Sequence, residues 1–374
     1  MIRRHLVTAV VAGIAIVFTT VASAARGEAP ASPREQAELQ STLDRAVALG
    51  IPGAIAIVRD GHGTVRAVSG YSNLAPKTPI RANDRFRVGS LTKTFVSTVA
   101  LQLVDEGKLS LDDTVEHWLP GLVPGGEKIS VRQLLNMRAG LYDYLNQDAT
   151  ILHRLEAGDL THRYAPKELV ALATTHRPNF QPGASWSYCN TCYVLVGLII
   201  EKASGHTIAA ELKRRIFEPL QLRDTSFDSE PLIAGNHSRG YVRVGKRLVD
   251  ASVASPSAAW AAGAIVSTVD DVERFFSALS QGRLLPAHLL RVMRTPAKSS
   301  AGYGLGYARV QAPCAKLGGN NGNFLGYNAS AWGTTDGAWQ LVLFVNLDES
   351  ALTPKLSRAL NQVLITALCR RRSR

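Results

Sequence analysis

Strand patterns at both ends of the chain, with helical patterns between them, constrain the fold more than any other feature. Residues 54–58 are apolar, residues 65–68 are apolar except for Arg66, and the two stretches flank a turn at Asp60-Gly61-His62-Gly63, which predicts two paired strands. Further strands are predicted at residues 303–310, 325–334 and 338–347. From about residue 109 to residue 260 the periodicity is mostly helical. A strand-rich part is therefore built from both ends of the chain, and a helical part is inserted between them.

We place the strand-rich part at residues 32–89 and 264–369 and the helical part at residues 90–263. Capping residues and apolar periodicity predict the individual helices. The first helix begins after Ser32 and stops at Gly50, and two more cover residues 193–203 and 207–217. A further helix runs from Thr268 through Leu279, and the last one begins at Thr353.

The N-terminus has the three parts of a secretory signal peptide. A basic start precedes an apolar run from Leu6 to Val21, and Ala22-Ser23-Ala24 follows as a small-residue cleavage site. We therefore predict that residues 1–24 are a signal peptide. The mature part, residues 25–374, is then secreted or extracytoplasmic, with attachment to the cell wall as an open alternative.

The formal net charge of +12 is densest in the tail after Cys369. We interpret that tail as a solvated segment, with attraction to anionic cell-wall polymers as the alternative. The chain has no zinc finger, RNA-binding signature or basic helix, so we expect no nucleic-acid partner.

Ser90 is the first candidate nucleophile. It opens a helical pattern that runs to Glu106 and ends at Gly107, and Lys93 follows one turn later on the same face. The helix N-terminus would stabilise negative charge on the serine oxygen. A lysine whose pKa is lowered by burial can accept the hydroxyl proton. Ser-x-x-Lys also occurs by chance on surface helices, so other groups must support this interpretation.

A second group is the loop at residues 182–190, which precedes the buried helix. Tyr188 and Asn190 stand two residues apart there and can reach the same cavity. A phenol beside a cation can move a proton, and an amide can hold both a lysine and a substrate carbonyl. The plainer alternative is a loop with a packed tyrosine.

A third group is the glycine-rich stretch at residues 318–327, which leads into a strand. Its glycines would let a substrate backbone approach the strand edge closely. A backbone N–H group near Asn323 could pair with that of Ser90 as an oxyanion hole. A flexible turn is the alternative.

In this order and spacing, the three groups resemble the serine penicillin-recognising family of class C β-lactamases, low-molecular-weight penicillin-binding proteins and related esterases. The resemblance is strongest to the exported D-alanyl-D-alanine carboxypeptidases of that family. It extends to residues 86–93, 101–109, 119–122, 140–144 and 303–306. It implies an α/β (α+β) fold of the β-lactamase/transpeptidase type, in which helices flank an antiparallel sheet and an all-helical region is inserted.

The resemblance also implies an acyl-enzyme mechanism without a cofactor or metal. Ser90 would attack the carbonyl of a D-Ala-D-Ala bond, Lys93 and Tyr188 would move protons, and Asn190 would position the acyl chain. Water would then release the product, and a β-lactam would acylate the same serine. Whether lysine or tyrosine is the base stays open at this point.

The third motif departs from the family pattern. The family has histidine or lysine first, whereas this chain has Asn320-Asn321-Gly322. We assign substrate binding to Asn320, Asn321 and Asn323. We also assign it to Arg309, one residue beyond the carboxylate-binding arginine of the carboxypeptidases, although a one-residue shift reverses the face of a strand. We therefore expect slow turnover and relatively better activity on neutral esters than on substrates with a free carboxylate.

The four cysteines fall into two pairs. The resemblance implies a disulfide between Cys314 and Cys369. For Cys189 and Cys192 two alternatives remain: a bridge that stiffens the tyrosine loop, or two packed free thiols.

Taken together, the sequence predicts an exported, monomeric serine D-Ala-D-Ala carboxypeptidase that acts on peptidoglycan-type peptides and binds penicillin. Two alternatives are a serine esterase or weak β-lactamase on the same scaffold, and a non-catalytic cell-wall-binding relative.

Overall fold

A seven-stranded antiparallel sheet lies at the centre of the protein, for which a computed structural model describes residues 33–369. The strands, in chain order, are β1 (Gly53–Asp60), β2 (Gly63–Leu74), β3 (Lys77–Pro79), β4 (Phe86–Arg87), β5 (Ser226–Phe227), β6 (Tyr241–Val244), β7 (Arg247–Asp250), β8 (Ile265–Ser267), β9 (Ala308–Gln311), β10 (Lys316–Phe324), β11 (Tyr327–Thr334) and β12 (Trp339–Val345). The large sheet has the order β3-β2-β1-β12-β11-β10-β9, and smaller sheets are formed by β4-β8-β5 and by β6-β7.

Strands β5, β6 and β7 lie within residues 90–263, so the prediction of an all-helical inserted region is wrong there. Helices form most of that region and cover the sheet. They are α1 (Pro33–Ala48), α2 (Thr92–Asp105), α3 (Val115–Trp118), α4 (Val131–Leu135), α5 (Tyr144–Gln147), α6 (Ala149–Glu156), α7 (Pro166–Thr174), α8 (Asn190–Ser204), α9 (Ile208–Leu212), α10 (Val269–Ser280), α11 (Ala287–Arg294) and α12 (Pro354–Cys369). In the described part of the chain, none has the length and apolarity that crossing a membrane requires.

The two ends of the chain meet in the middle of the sheet. Strand β1 pairs with β2 on one side and with β12 on the other, and Ile55 lies opposite Phe344. Helices α1 and α12 pack against each other over the same strands. The mixed fold predicted from the sequence, with an antiparallel sheet flanked by helices, is therefore confirmed. The predicted signal peptide and the basic tail after Cys369 lie outside the described residues.

The sheet separates two apolar cores because neighbouring side chains of a strand point to opposite faces. In β1, Ala54, Ala56 and Val58 belong to the core beneath α1 and α12. Ile55 and Ile57 belong to the larger core on the other face, which includes α2, α8 and α10. Helix α2 is buried along most of its length there, so its N-terminal end is held firmly next to the sheet.

The strand predicted at residues 303–310 is wrong over most of its length, since only Ala308–Gln311 form β9. The backbone before β9 bonds to helices instead of to a strand. Leu305 N–H donates to the Met293 carbonyl at 2.9 Å, and the Gly306 carbonyl accepts from Thr94 Oγ1 at 2.7 Å. The glycine-rich stretch, in turn, does not merely lead into a strand, because residues 316–324 are themselves β10.

Both cysteine pairs form disulfides, Cys189 with Cys192 and Cys314 with Cys369. The pairing of Cys314 with Cys369 is as the resemblance implies, and of the two alternatives for Cys189 and Cys192 the structure has the bridge. The longer bridge joins the turn between β9 and β10 to the end of α12, and therefore ties the last helix to the sheet.

Removing the longer bridge should destabilise the fold. Since Cys314 and Cys369 are 55 positions apart, the chain-entropy model gives a loss of about 4 kcal/mol in the free energy of unfolding. We expect Cys314→Ser/Cys369→Ser to show that loss in chemical denaturation monitored by circular dichroism. An unchanged denaturation midpoint would contradict a stabilising role.

Candidate active site

Ser90 lies on a 3₁₀ turn, Gly89–Leu91, that leads directly into α2, and its side chain is partly exposed. Strand β10 approaches this turn so closely that neither Gly89 nor Gly322 has room for a Cβ atom. A Cβ atom on Gly89 (φ +50°) would lie 2.4 Å from the Asn323 carbonyl oxygen, and one on Gly322 would lie 2.6 Å from the Ser90 nitrogen. The backbone of Asn323 therefore lies beside that of Ser90, as a two-donor oxyanion hole requires.

Lys93 is fully buried and points at Ser90. Its Nζ lies 2.9 Å from Ser90 Oγ, 2.8 Å from Asn190 Oδ1 and 2.8 Å from the Ala262 carbonyl oxygen. Asn190 presents its oxygen to the lysine because its Nδ2 donates to both carboxylate oxygens of Asp143, at 3.2 and 3.1 Å. Two of the three partners of Nζ are thus pure acceptors. A neutral amine that donates to both of them turns its lone pair towards the Ser90 hydroxyl.

The pKa of Lys93 favours that neutral form. Burial lowers it from 10.5 to about 7, and the negative charge of Asp143 raises it only in part. Burial also raises the pKa of Asp143, against the hydrogen bond from Asn190 and the charge of Lys93. A large fraction of Lys93 is therefore unprotonated at neutral pH and able to accept a proton.

Tyr188 lies on the other side of Ser90 from Lys93, so that Lys93, Ser90 and Tyr188 form a row, the Ser90 row. Its hydroxyl lies 2.5 Å from Ser90 Oγ, and Lys93 Nζ lies 4.9 Å from the centre of its ring. Burial raises the pKa of Tyr188 above its usual range, although the hydrogen bond to Ser90 acts in the opposite direction. The phenol therefore keeps its proton at neutral pH. Between the two candidates for the base, this arrangement favours Lys93, and it suits Tyr188 to donating a proton.

Asp143 was not found from the sequence, although it lies within residues 140–144 that resemble the family. It is buried and begins α5, where it accepts from the Leu145 N–H at 3.3 Å. The same carboxylate orients Asn190, and its negative charge partly raises the pKa of Lys93. The Ala262 carbonyl was also missed, because its position depends on a turn that is distant from Lys93 in the sequence.

The three asparagines of the third motif differ in their surroundings. Asn320 is buried, and its Nδ2 donates to Thr94 Oγ1 at 3.2 Å and to the Gly306 carbonyl at 3.4 Å. In the described part of the protein it makes no hydrogen bond to the Ser90 row. Asn321 is exposed, and the Asn323 side chain accepts from the Glu349 N–H at 3.3 Å. Asn320 is thus occupied in holding β10 to α2, whereas Asn321 and Asn323 lie on an accessible edge.

That edge belongs to the part of β10 next to Ser90. Strand β9 pairs only with residues 316–319, so residues 320–324 have no neighbouring strand on that side among the described residues. Arg309 lies opposite Gly318, one position from the end of this pairing nearest residues 320–324. Its backbone N–H donates to the Gly302 carbonyl at 2.9 Å, and its side chain has no hydrogen bond or ion pair within residues 33–369 that would join it to Ser90. The described residues also contain no cluster of three metal-ligating side chains.

The pH dependence of acylation should follow Lys93. Because its pKa is about 7, the rate of acylation by a penicillin should rise through that pH as Lys93 loses its proton. Asp143→Asn removes the charge that stabilises the protonated form, so the midpoint should move to lower pH. Stopped-flow acylation from about pH 5 to about pH 9 measures both midpoints. A midpoint that rises in the variant would contradict the assignment of Lys93 as base.

Comparisons with known proteins show which family this chain resembles. The family model described as Beta-lactamase matches residues 39–364. The crystal structure of a D-stereospecific amidohydrolase from Streptomyces sp. superposes with a TM-score of 0.80 at 36% identity, over 89% of this chain and 98% of that one.

Two curated relatives are more distant. The putative penicillin-binding protein PbpX of Bacillus subtilis (strain 168) is 27% identical over 320 residues, which cover 84% of this chain and 76% of the relative. A D-aminopeptidase of Brucella anthropi is 27% identical over 318 residues, or 81% of this chain and only 57% of that protein's length. With the family model matching most of the sequence, the chain belongs to the beta-lactamase family of serine hydrolases.

Proposed function

We propose that this chain is an exported serine hydrolase that cleaves amide bonds next to D-amino acids through an acyl-enzyme on Ser90. The observation that carries the proposal is the row Lys93–Ser90–Tyr188, with contacts of 2.9 and 2.5 Å on the two sides of the serine oxygen. Cleavage of a D-Ala-D-Ala peptide, as predicted from the sequence, is the narrower form of this activity.

In acylation, Ser90 Oγ attacks the substrate carbonyl and its proton passes to Lys93 Nζ. The backbone N–H groups of Ser90 and Asn323 stabilise the negative charge that develops on the carbonyl oxygen. Tyr188 donates its proton to the leaving nitrogen as the C–N bond breaks. Lys93 is then protonated, and Tyr188 is a phenolate.

Deacylation returns both protons. A water molecule adds to the acyl carbonyl and gives its proton to the Tyr188 phenolate. Ser90 Oγ leaves and takes back a proton from Lys93, so the resting state is restored. The two groups thus exchange the roles of acid and base between the two half-reactions.

The substrate class is supported by the relatives and by the charge of the site. The amidohydrolase and the D-aminopeptidase act on D-configured substrates according to their names. Within the described residues, no cation other than Lys93 hydrogen-bonds to Ser90, Tyr188, Asn190 or Asn320. A leaving group without a free carboxylate suits such a site, because Lys93 is engaged with Ser90 and Asn190 and no other arginine or lysine of the described residues hydrogen-bonds to these side chains.

Trapping of the acyl-enzyme tests the nucleophile. We expect exposure to penicillin to add one adduct to the intact mass, and we expect Ser90→Ala to lose it. Lys93→Ala should slow the formation of the adduct by a factor on the order of 10²–10⁴, as for loss of a general base. An adduct that persists in Ser90→Ala would overturn the assignment.

A comparison of substrates tests the specificity. We expect cleavage of a D-amino acid amide and of a matching neutral ester to exceed release of D-Ala from a peptide that ends in D-Ala-D-Ala. Arg309→Ala should leave the order unchanged, because the Arg309 side chain makes no hydrogen bond to Ser90, Lys93 or Tyr188 in the described residues. If the wild type instead releases D-Ala from the peptide faster than ammonia from the amide, and Arg309→Ala loses that advantage, this pair of results would identify a carboxypeptidase with Arg309 as its carboxylate-binding residue.

A further inference from the structure

The Cys189–Cys192 disulfide lies directly next to active-site residues in the sequence. Cys189 stands between Tyr188 and Asn190 in the sequence, and both cysteines are buried, at 2% and 0% exposure. The bridge closes a ring of four residues that is also the first turn of α8. We infer that this disulfide is a positioning element of the active site, which fixes Tyr188 and Asn190 relative to Ser90 and Lys93. The inference rests on the function proposed above.

The segment that carries Tyr188 has few other restraints. Residues 185–189 belong to no helix, strand or turn. Their backbone is held at two points: the Ser187 N–H donates to the Met137 carbonyl at 3.3 Å, and the Ser185 carbonyl accepts from Arg138 Nε at 3.2 Å. Within the described residues, the N–H groups of Tyr188 and Cys189 donate to no acceptor. A segment without a hydrogen-bond ladder is free to shift, and the disulfide is the covalent restraint directly next to the phenol.

The ring also holds the polar layer behind Lys93. Asn190 and Thr191 are its two inner residues. Asn190 reaches Lys93 and Asp143, and Thr191 Oγ1 donates to the Tyr142 carbonyl at 2.6 Å. Cys189 caps α8, because its Sγ accepts from the Cys192 N–H at 3.0 Å. The bridge thus fixes the first turn of α8 at the point where it meets both the lysine and the segment around Asp143.

Loosening this turn should change the chemistry as well as the stability. The low pKa of Lys93 results from burial, and Asn190 and the Tyr188 ring contribute part of that enclosure. If the turn opens, water reaches Lys93 and its pKa rises towards the ordinary value. The hydroxyl of Tyr188 also leaves its position at Ser90. Displacements of about 1 Å between reacting groups can cost roughly 10²-fold in rate.

The test is a double variant, Cys189→Ser/Cys192→Ala. Serine at position 189 retains an oxygen that can cap α8, and alanine suits the fully buried position 192, so the change removes mainly the covalent link. The matched control is Cys314→Ser/Cys369→Ser. It removes the other disulfide, which lies by the core under α1 and α12, on the opposite face of the sheet from the site.

We expect the first variant to lose about 10- to 100-fold in the rate of acylation by penicillin. Its pH midpoint should also move above that of the wild type. The control should unfold more easily yet retain the wild-type rate and midpoint. A first variant that acylates at the wild-type rate and pH midpoint would overturn the inference. An equal loss in both variants would show a general effect of stability and would overturn it too.

If the first variant does not fold, reduction in the control background replaces it. There dithiothreitol can break only Cys189–Cys192, giving two thiols and the oxidised cyclic dithiol. We expect acylation to slow on reduction and to recover on reoxidation, with unchanged far-ultraviolet circular dichroism. No change in rate upon complete reduction would overturn the inference. Failure of the wild type itself to form an adduct would instead refute the proposed function.

Discussion

A buried lysine is the constraint on which the site depends. Within residues 33–369, Lys93 forms no ion pair with a carboxylate, and its pKa is about 7 in the fold against 10.5 for an exposed lysine. The unfolded chain therefore binds more protons than the folded one between these values, so this group makes the fold more stable as pH rises from about 7 towards 10.5. Below pH 7 it opposes folding, and the buried α2 and α8 supply the apolar packing that offsets this cost.

Local patterns were enough to predict the elements that carry the nucleophile. The Ser90–Lys93 spacing and the end of α2 near Glu106 depend on residues close together in the sequence, and so do the bounds of α1 and α12. Helix α8, by contrast, begins at Asn190, three residues before the predicted start at residue 193. The false strand at residues 303–307 has a tertiary cause, because its backbone groups are satisfied by Leu135, Met293 and Thr94. Asp143 could not be predicted, since its role depends on the hydrogen bond from Asn190 and on the charge of Lys93, and both residues lie on other helices.

The uncharged third motif changes the balance of the site. Asn320 stands at the sequence position where the family has a histidine or lysine, but its amide is used in the contact between β10 and α2. A charged side chain would have to remain buried there beside Thr94, at a cost in desolvation. The asparagine thus favours the packing of the strand on the helix, and Lys93 is left as the cation of the row.

The central position of β1 has a consequence for the order of assembly. Strand β1 lies between β2 and β12. When only the first half of the chain has been synthesised, β1 can pair with β2, but β12 does not yet exist. The turn that bears Ser90 is likewise incomplete until β10 arrives against Gly89. Contacts between such distant segments slow folding. The hydrolase would therefore gain its activity only after nearly the whole polypeptide is available, which keeps a reactive serine inactive during synthesis.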